Sequence, residues 1–157
     1  MIMPAKSPDL STILLVEDNP DDEELTLLAF KNSSQPNNLI TVHDGAEALE
    51  FLFRAGQYRD RDVRTNPRLV LLDLKLPKIG GLEVLKRMRA NPVTEFLPVV
   101  VLTTSNQDED IINSYKYGAN SYIRKPVEFK SFCTAVEQLG VYWLVLNELP
   151  PALSTAR

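Results

Sequence analysis

Five short strand-length runs, most of them apolar and each followed by a stretch of helical character, constrain this chain more than any other feature of it. The runs are residues 13–16, 39–42, 69–72, 99–102 and 121–124. Each has the length of a strand, and the apolar ones do not alternate with polar residues, as expected of strands covered on both faces. Between them the spacing predicts helices. Residues 21–31 carry acids in the first turn, where a helix dipole favours them, and put Leu25, Leu28 and Ala29 on one face. Residues 45–54 and 82–89 follow the same period. A further helix is expected from an N-cap at Asn106, three residues before Glu109, to about Tyr117, with Gly118 closing it. The last helix begins at Val127. Strands alternating with helices predict an α/β fold, a doubly wound parallel sheet with helices on both faces. Residues 54–68 break the rhythm: they hold five Arg and two Asp without a period.

The chain has 157 residues, enough for one domain, expected over 11–149, with residues 1–10 and 150–157 as flexible termini. A hydrophobic content of 44% with 24% charged residues is that of an ordinary globular protein. Cys133 is the only cysteine, so no intrachain disulfide forms and a reducing, cytoplasmic setting is expected. A net charge of −4 argues against nucleic acid as the partner, because that binding is largely phosphate neutralisation. No apolar run reaches the length of a membrane span, and the first ten residues lack the apolar core of a secretory signal.

In an open parallel sheet, ligands bind beyond the carboxyl ends of the strands. Here the first strand runs into Glu17 and Asp18, the third into Asp73, the fourth into Thr103 and Thr104, and the fifth into Lys125 and Pro126. Three carboxylates that converge repel one another and call for a cation. An all-oxygen set of this size suits Mg²⁺ better than a caged Ca²⁺. A carboxylate is also a nucleophile that can form an aspartyl phosphate, and a metal with a lysine would offset the charge of a transferring phosphoryl group.

The segments LLVEDNP (14–20), LVLLDLKLPKIGGLEVL (69–85), LPVVVLTTS (97–105) and YGANSYIRKP (117–126) resemble the receiver domain of two-component response regulators. The resemblance spans about residues 11 to 140. It implies a flavodoxin-like sheet of strand order 2-1-3-4-5, with Asp73 as phosphoacceptor. Glu17 and Asp18 would form the acidic pair for Mg²⁺, and the backbone carbonyl of Lys75 would be a further ligand. Lys125 would contact the phosphoryl group, Thr103 would hydrogen-bond it, Tyr122 would change rotamer with it, and Pro126 would follow a cis bond. Glu17 stands where the family more often has Asp. Thr104 stands where a smaller residue is frequent, bordering the path to the phosphoryl group. The long Arg-bearing segment and the ending VYWLVLNELPP (141–151) are similar to the small regulators that partner phytochrome-type histidine kinases, especially in cyanobacteria.

Other assignments fit less well. A haloacid dehalogenase-type phosphatase would have a second Asp two residues after the first, where this chain has Lys75. A flavodoxin-type flavin carrier would need a phosphate loop after the first strand, but six of residues 17–24 are acidic. An adaptor without phosphorylation has no use for Asp73, Thr103 and Lys125 together. His43, the only histidine, reads as a loop residue, and Cys133 as core. Phe129, Phe132, Val136, Leu139, Trp143 and Leu146 form one apolar stripe on the last helix. Beyond Gly140 the run 141–146 is apolar all round, so it either folds back on the core or, the reading preferred here, forms the interface of a homodimer anchored by Tyr142, Trp143 and Leu146. The partners implied are a histidine kinase of the phytochrome type and a downstream phosphotransfer protein.

Overall fold

The computed structural model describes residues 10–126 and 128–151. The expected flexible termini therefore lie almost wholly outside the described residues, as does Val127, the expected start of the last helix.

Strands β1 (Thr12–Val16), β2 (Asn38–Val42), β3 (Pro67–Leu72), β4 (Val99–Thr103) and β5 (Ser121–Arg124) form one sheet of order β2-β1-β3-β4-β5. All its pairings are parallel. The helices are α1 (Pro20–Lys31), α2 (Gly45–Phe53), α3 (Gly81–Arg89), α4 (Asp108–Lys116) and α5 (Phe129–Gly140). Successive residues of a strand point to opposite faces. Ile13 and Leu15 of β1 thus join Ala29, Phe30, Phe132 and Val136 under α1 and α5. Leu14 and Val16 join Phe51, Leu52, Leu85 and Met88 under α2 and α3. The doubly wound sheet predicted from the apolar runs is the fold of the chain.

Three local expectations need correction. On α1 the buried residues are Thr26, Ala29 and Phe30, while Leu25 and Leu28 are each 44% exposed. Asn19 caps this helix by accepting from the N–H groups of Asp21 and Asp22, and the side-chain hydroxyl of Thr26 donates to the Asp22 carbonyl at 2.7 Å. With its polar group satisfied inside the helix, Thr26 can face the core in place of a leucine. Asn106 does not cap α4. That helix opens after Gln107, whose N–H donates to Ser105 Oγ at 3.3 Å. The last helix does not continue beyond Gly140 in α form. Val141–Leu146 is a wider π-helical segment, closed by the Asn147 N–H donating to the Tyr142 carbonyl at 2.7 Å. Gly118 does follow the α4 cap, at φ 103°, a conformation that favours glycine.

The π-helical segment divides the predicted interface anchors. Trp143 and Leu144 pack back on the α1/α5 core, so the last helix partly completes the domain. Tyr142, Val145 and Leu146 remain exposed at 49%, 56% and 63%. Cys133 is half-buried against the same core.

Two arginines fasten loops to this frame. In the segment before β3, Arg61 lies over the Phe51 ring at 4.3 Å and donates to the Phe51 carbonyl, Thr65 Oγ1 and Asn66 Oδ1. Arg64 instead forms an exposed pair with Asp62 at 2.8 Å. At the end of α3, Arg89 donates to the carbonyls of Thr94, Glu95, Leu97 and Gly118 and to Asn120 Oδ1, all within 2.8–3.1 Å. It joins α3 to the entrance of β4 and to the α4–β5 turn. Replacing Arg89 with Met leaves these acceptors without their donor and is expected to lower the unfolding free energy by about 3 kcal/mol. Arg89→Lys should recover only part of this, since an ammonium lacks the planar fork. Urea titration of the three proteins measures both effects.

Candidate functional site

The site is made where three neighbouring strands stop. The Glu17 N–H donates to the Val42 carbonyl at 3.0 Å, and the Asp73 N–H to the Val16 carbonyl at 3.1 Å. Ladder bonds thus fix both carboxylates side by side at the middle of the sheet edge. Glu17 is 1% exposed and Asp73 8%, whereas Asp18 is open to solvent. Each of the three offers an oxygen, and these oxygens all lie within 4.8 Å of one another. Among the described residues no other group of acids, histidines or cysteines gathers this closely. Gly81 opens α3 directly behind Asp73, where a Cβ would stand 2.2 Å from the Asp73 carbonyl. Glycine there lets the helix approach the site.

Lys125 enters from β5. Its N–H donates to the Thr103 carbonyl at 2.7 Å, which sets the direction of the side chain. Its ammonium bonds Glu17 Oε1 at 2.5 Å, Asp22 Oδ2 at 2.9 Å and Asp73 Oδ2 at 3.1 Å. Burial alone would pull the lysine pKa down, but the carboxylates of Asp22, Glu17 and Asp73 outweigh it and raise it above the ordinary value. Glu17 moves the other way from a usual paired acid. Burial pushes its carboxyl from the ordinary 4.5 up to about 7, with the Asp73 charge adding to the push. The Lys125 ammonium and the Asn19 N–H pull it only part of the way back.

The remaining expected residues lie along the same edge. Thr103 is fully buried, its Oγ1 accepting from the Ser105 N–H at 3.4 Å, and Thr104 faces solvent beside it. The side chain of Tyr122 is partly buried, its hydroxyl donating to the Ser105 carbonyl at 2.9 Å. Ser105 Oγ in turn donates to Asp110 Oδ2 at 2.5 Å. Lys75 is near by its backbone, its N–H donating to Asp73 Oδ1 at 3.3 Å. The peptide bond before Pro126 is not cis, contrary to expectation. The trans form of such a bond is favoured by about 0.5–1 kcal/mol, and Lys125 reaches the carboxylates with it.

His43 is the loop residue expected, exposed, with Nε2 3.0 Å from Glu23 Oε1. Asp22 joins the site although no local pattern in the sequence marks it. An acid in the first turn of a helix is ordinarily read as a partner of the helix dipole. Only the tertiary packing of α1, which lies against α5, aims this one at Lys125.

The raised pKa of Glu17 has a measurable consequence. The folded value of about 7 lies above the unfolded 4.5, so this group's contribution to stability is complete below 4.5 and is lost as pH rises through 7. Lys125 stays charged across this window. Glu17→Gln cannot ionise and should escape the loss. In EDTA, its stability relative to the parent is expected to rise between pH 5 and pH 8 by on the order of 2 kcal/mol. Urea unfolding at the two pH values checks it, and an equal difference at both would contradict it.

With this geometry in place, comparisons with known proteins are informative. The family model of the response regulator receiver domain matches residues 13–137. Response regulator Rcp1 of Synechocystis sp. is 40% identical over 140 residues, which cover 89% of this chain and 93% of that protein. Its Mn²⁺-bound crystal structure superposes with a TM-score of 0.80 at 39% identity, covering 89% of this chain and 99% of that one. The phosphorylated cyanobacterial phytochrome response regulator RcpA gives a TM-score of 0.83 at 39% identity over 90% of this chain and 99% of that one. The bacteriophytochrome response regulator RtBRR is 50% identical, with a TM-score of 0.72 over 94% of this chain and 88% of that one. The acidic edge, the buried lysine and the sheet order thus occur together in a chain that belongs to the response regulator receiver family.

Proposed function

We propose that this protein is a stand-alone receiver that accepts a phosphoryl group on Asp73 from a sensor histidine kinase of the phytochrome type. The observation that carries the reading is the Lys125 ammonium 3.1 Å from the Asp73 carboxylate, within an acidic group that fits a cation. The similarity to a cyanobacterial phytochrome response regulator and to a bacteriophytochrome response regulator supports the choice of kinase.

The donor set of Glu17, Asp18 and Asp73 is all oxygen and negatively charged, which fits a hard divalent ion such as Mg²⁺. These three side chains would hold it, with the Lys75 backbone carbonyl as a further ligand. Bound there, the ion offsets carboxylate charge and the charge that builds on the phosphoryl oxygens. The chain's own residues do the rest. An Asp73 oxygen attacks phosphorus, the phosphorus–nitrogen bond of the donor histidine breaks, and its electron pair leaves with that nitrogen. Lys125 holds a phosphoryl oxygen, and the Thr103 hydroxyl hydrogen-bonds another. That pull on Thr103 reaches Ser105 and Tyr122, whose hydroxyl already bonds the Ser105 carbonyl. The protein performs no chemistry beyond its own phosphorylation and slow dephosphorylation. Its output is a changed contact surface or onward transfer to a phosphotransfer protein.

Incubation with acetyl phosphate and Mg²⁺ is expected to add one phosphoryl group by mass. Asp73→Asn, or the parent in EDTA, should show none, and equal labelling in either would contradict the assignment. Lys125→Ala and Thr103→Ala should keep the fold but lose the amide shifts that beryllofluoride induces in the parent, including those near Tyr122.

We also propose a homodimer through α4, β5, α5 and the segment that follows. Tyr142, Val145 and Leu146 form an exposed apolar group there, and Ile112 and Tyr115 on α4 are 64% and 51% exposed. Trp143 supports this surface from below, its ring edge-on to Tyr142 with centroids 4.8 Å apart. A switch that shifts this equilibrium by 1–3 kcal/mol changes dimer affinity by roughly 5- to 150-fold. Sedimentation at tens of micromolar should find a dimer for the parent and a folded monomer for Val145→Asp/Leu146→Asp. A monomeric parent, with and without beryllofluoride, would refute the dimer.

A further inference from the structure

Lys125 donates to three carboxylates, and the three are not equivalent. Glu17 and Asp73 belong with Asp18 to the acidic group whose oxygens lie within 4.8 Å of one another, and Asp22 does not. A divalent cation drawn to that group would attract Glu17 and Asp73 more strongly than a single ammonium can at similar distance. Asp22 stands outside this competition and keeps its bond to the lysine. It is also firmly placed. Its N–H donates to Asn19 Oδ1 at 3.0 Å, and its carbonyl accepts from the Thr26 hydroxyl at 2.7 Å. The side chain of Lys125 is only 8% exposed, whereas that of Asp22 is 31% exposed, so the carboxylate reaches the ammonium from the solvent side of the site.

We propose that Asp22 is a positioning residue for phosphoryl transfer, holding the Lys125 ammonium at Asp73 while Glu17 and Asp73 are otherwise engaged. This rests on the reading of Asp73 as phosphoacceptor. An ammonium has three N–H donors, and here Glu17, Asp22 and Asp73 take one each. When a bond forms between an Asp73 oxygen and phosphorus, and the bond from phosphorus to the donor breaks, Asp73 no longer offers a full carboxylate. The N–H that served it turns to a phosphoryl oxygen, while the bond to Asp22 is unchanged. Without Asp22 the flexible four-carbon stem of the lysine is free to carry the charge toward water. The contact also joins the first turn of α1 to the loop after β5, so that turn and the reacting centre share one ion pair.

The test uses the full chain as Asp22→Asn, Asp22→Glu, Lys125→Ala and the Asp22→Asn/Lys125→Ala pair, with the fold verified by urea unfolding. Uptake from acetyl phosphate with Mg²⁺ should slow about tenfold in Asp22→Asn and recover largely in Asp22→Glu. In the Lys125→Ala background the Asn substitution should have no effect, because the group it acts through is gone. Separately, in EDTA and without phosphodonor, the Lys125 ammonium resonance should be protected from water exchange in the parent and in Asp22→Glu and lost in Asp22→Asn. Parent-like uptake by Asp22→Asn, or an equal slowing in the Lys125→Ala background, overturns the proposal. A parent that takes up no phosphoryl group at all overturns the reading of Asp73 instead. The ammonium resonance then still decides the role of Asp22, and an unchanged signal in Asp22→Asn rejects it.

Discussion

The structure depends on one buried positive charge. Lys125 sits among Glu17, Asp22 and Asp73, with Asp18 close to two of them. Four carboxylates against one ammonium leave the site strongly negative when all are ionised. Desolvation alone would make such a cluster costly, and an unpaired member more so. The fold answers with position rather than with more countercharge. The ladder of a parallel sheet brings the ends of β1, β3 and β5 to one edge, and the lysine is held there by its own backbone bond to Thr103. Burial, with the Asp73 charge added, still pushes the Glu17 carboxyl toward neutrality.

A site built this way is poised for a visitor that changes its charge. A cation would relieve the repulsion, and the phosphoryl group of the proposed reaction would restore negative charge at another position. Each would redistribute the three donors of a single ammonium. The path outward from that redistribution is short: Thr103, the Ser105 backbone and Tyr122 are consecutive partners in one hydrogen-bonded chain. Asp110 adds a side-chain bond to Ser105 and thereby ties α4 to the same loop.

Around this centre, arginines serve as fasteners more than as surface charge. Arg61 and Arg89 spend their donors largely on backbone carbonyls and neutral side chains of loops. In Arg61 burial lowers the guanidinium pKa to about 10, leaving it charged at neutral pH. The Arg-bearing stretch before β3 is therefore part structure and part surface. The same division runs through the chain's last described turns, where Trp143 faces the core and Leu146 faces outward.

The period and spacing of the sequence by themselves determined the α/β alternation, the bounds of β5 and the edge at which Glu17, Asp18, Asp73, Thr103 and Lys125 meet. They could do so because strand ends in a parallel sheet converge whatever the helices do in detail. Tertiary structure alone decided how the helices are rotated and whom their polar residues meet. It turned Leu25 and Leu28 outward and Thr26 inward, because the Asn19 cap and the contact with α5 fix the roll of α1. It also made Asp22 a partner of Lys125, a pairing of residues 103 positions apart that no local pattern carries. Local periodicity encodes which residues share a face. Which face is buried, and which distant charge lies opposite it, follows only from the simultaneous packing of all the elements on one sheet.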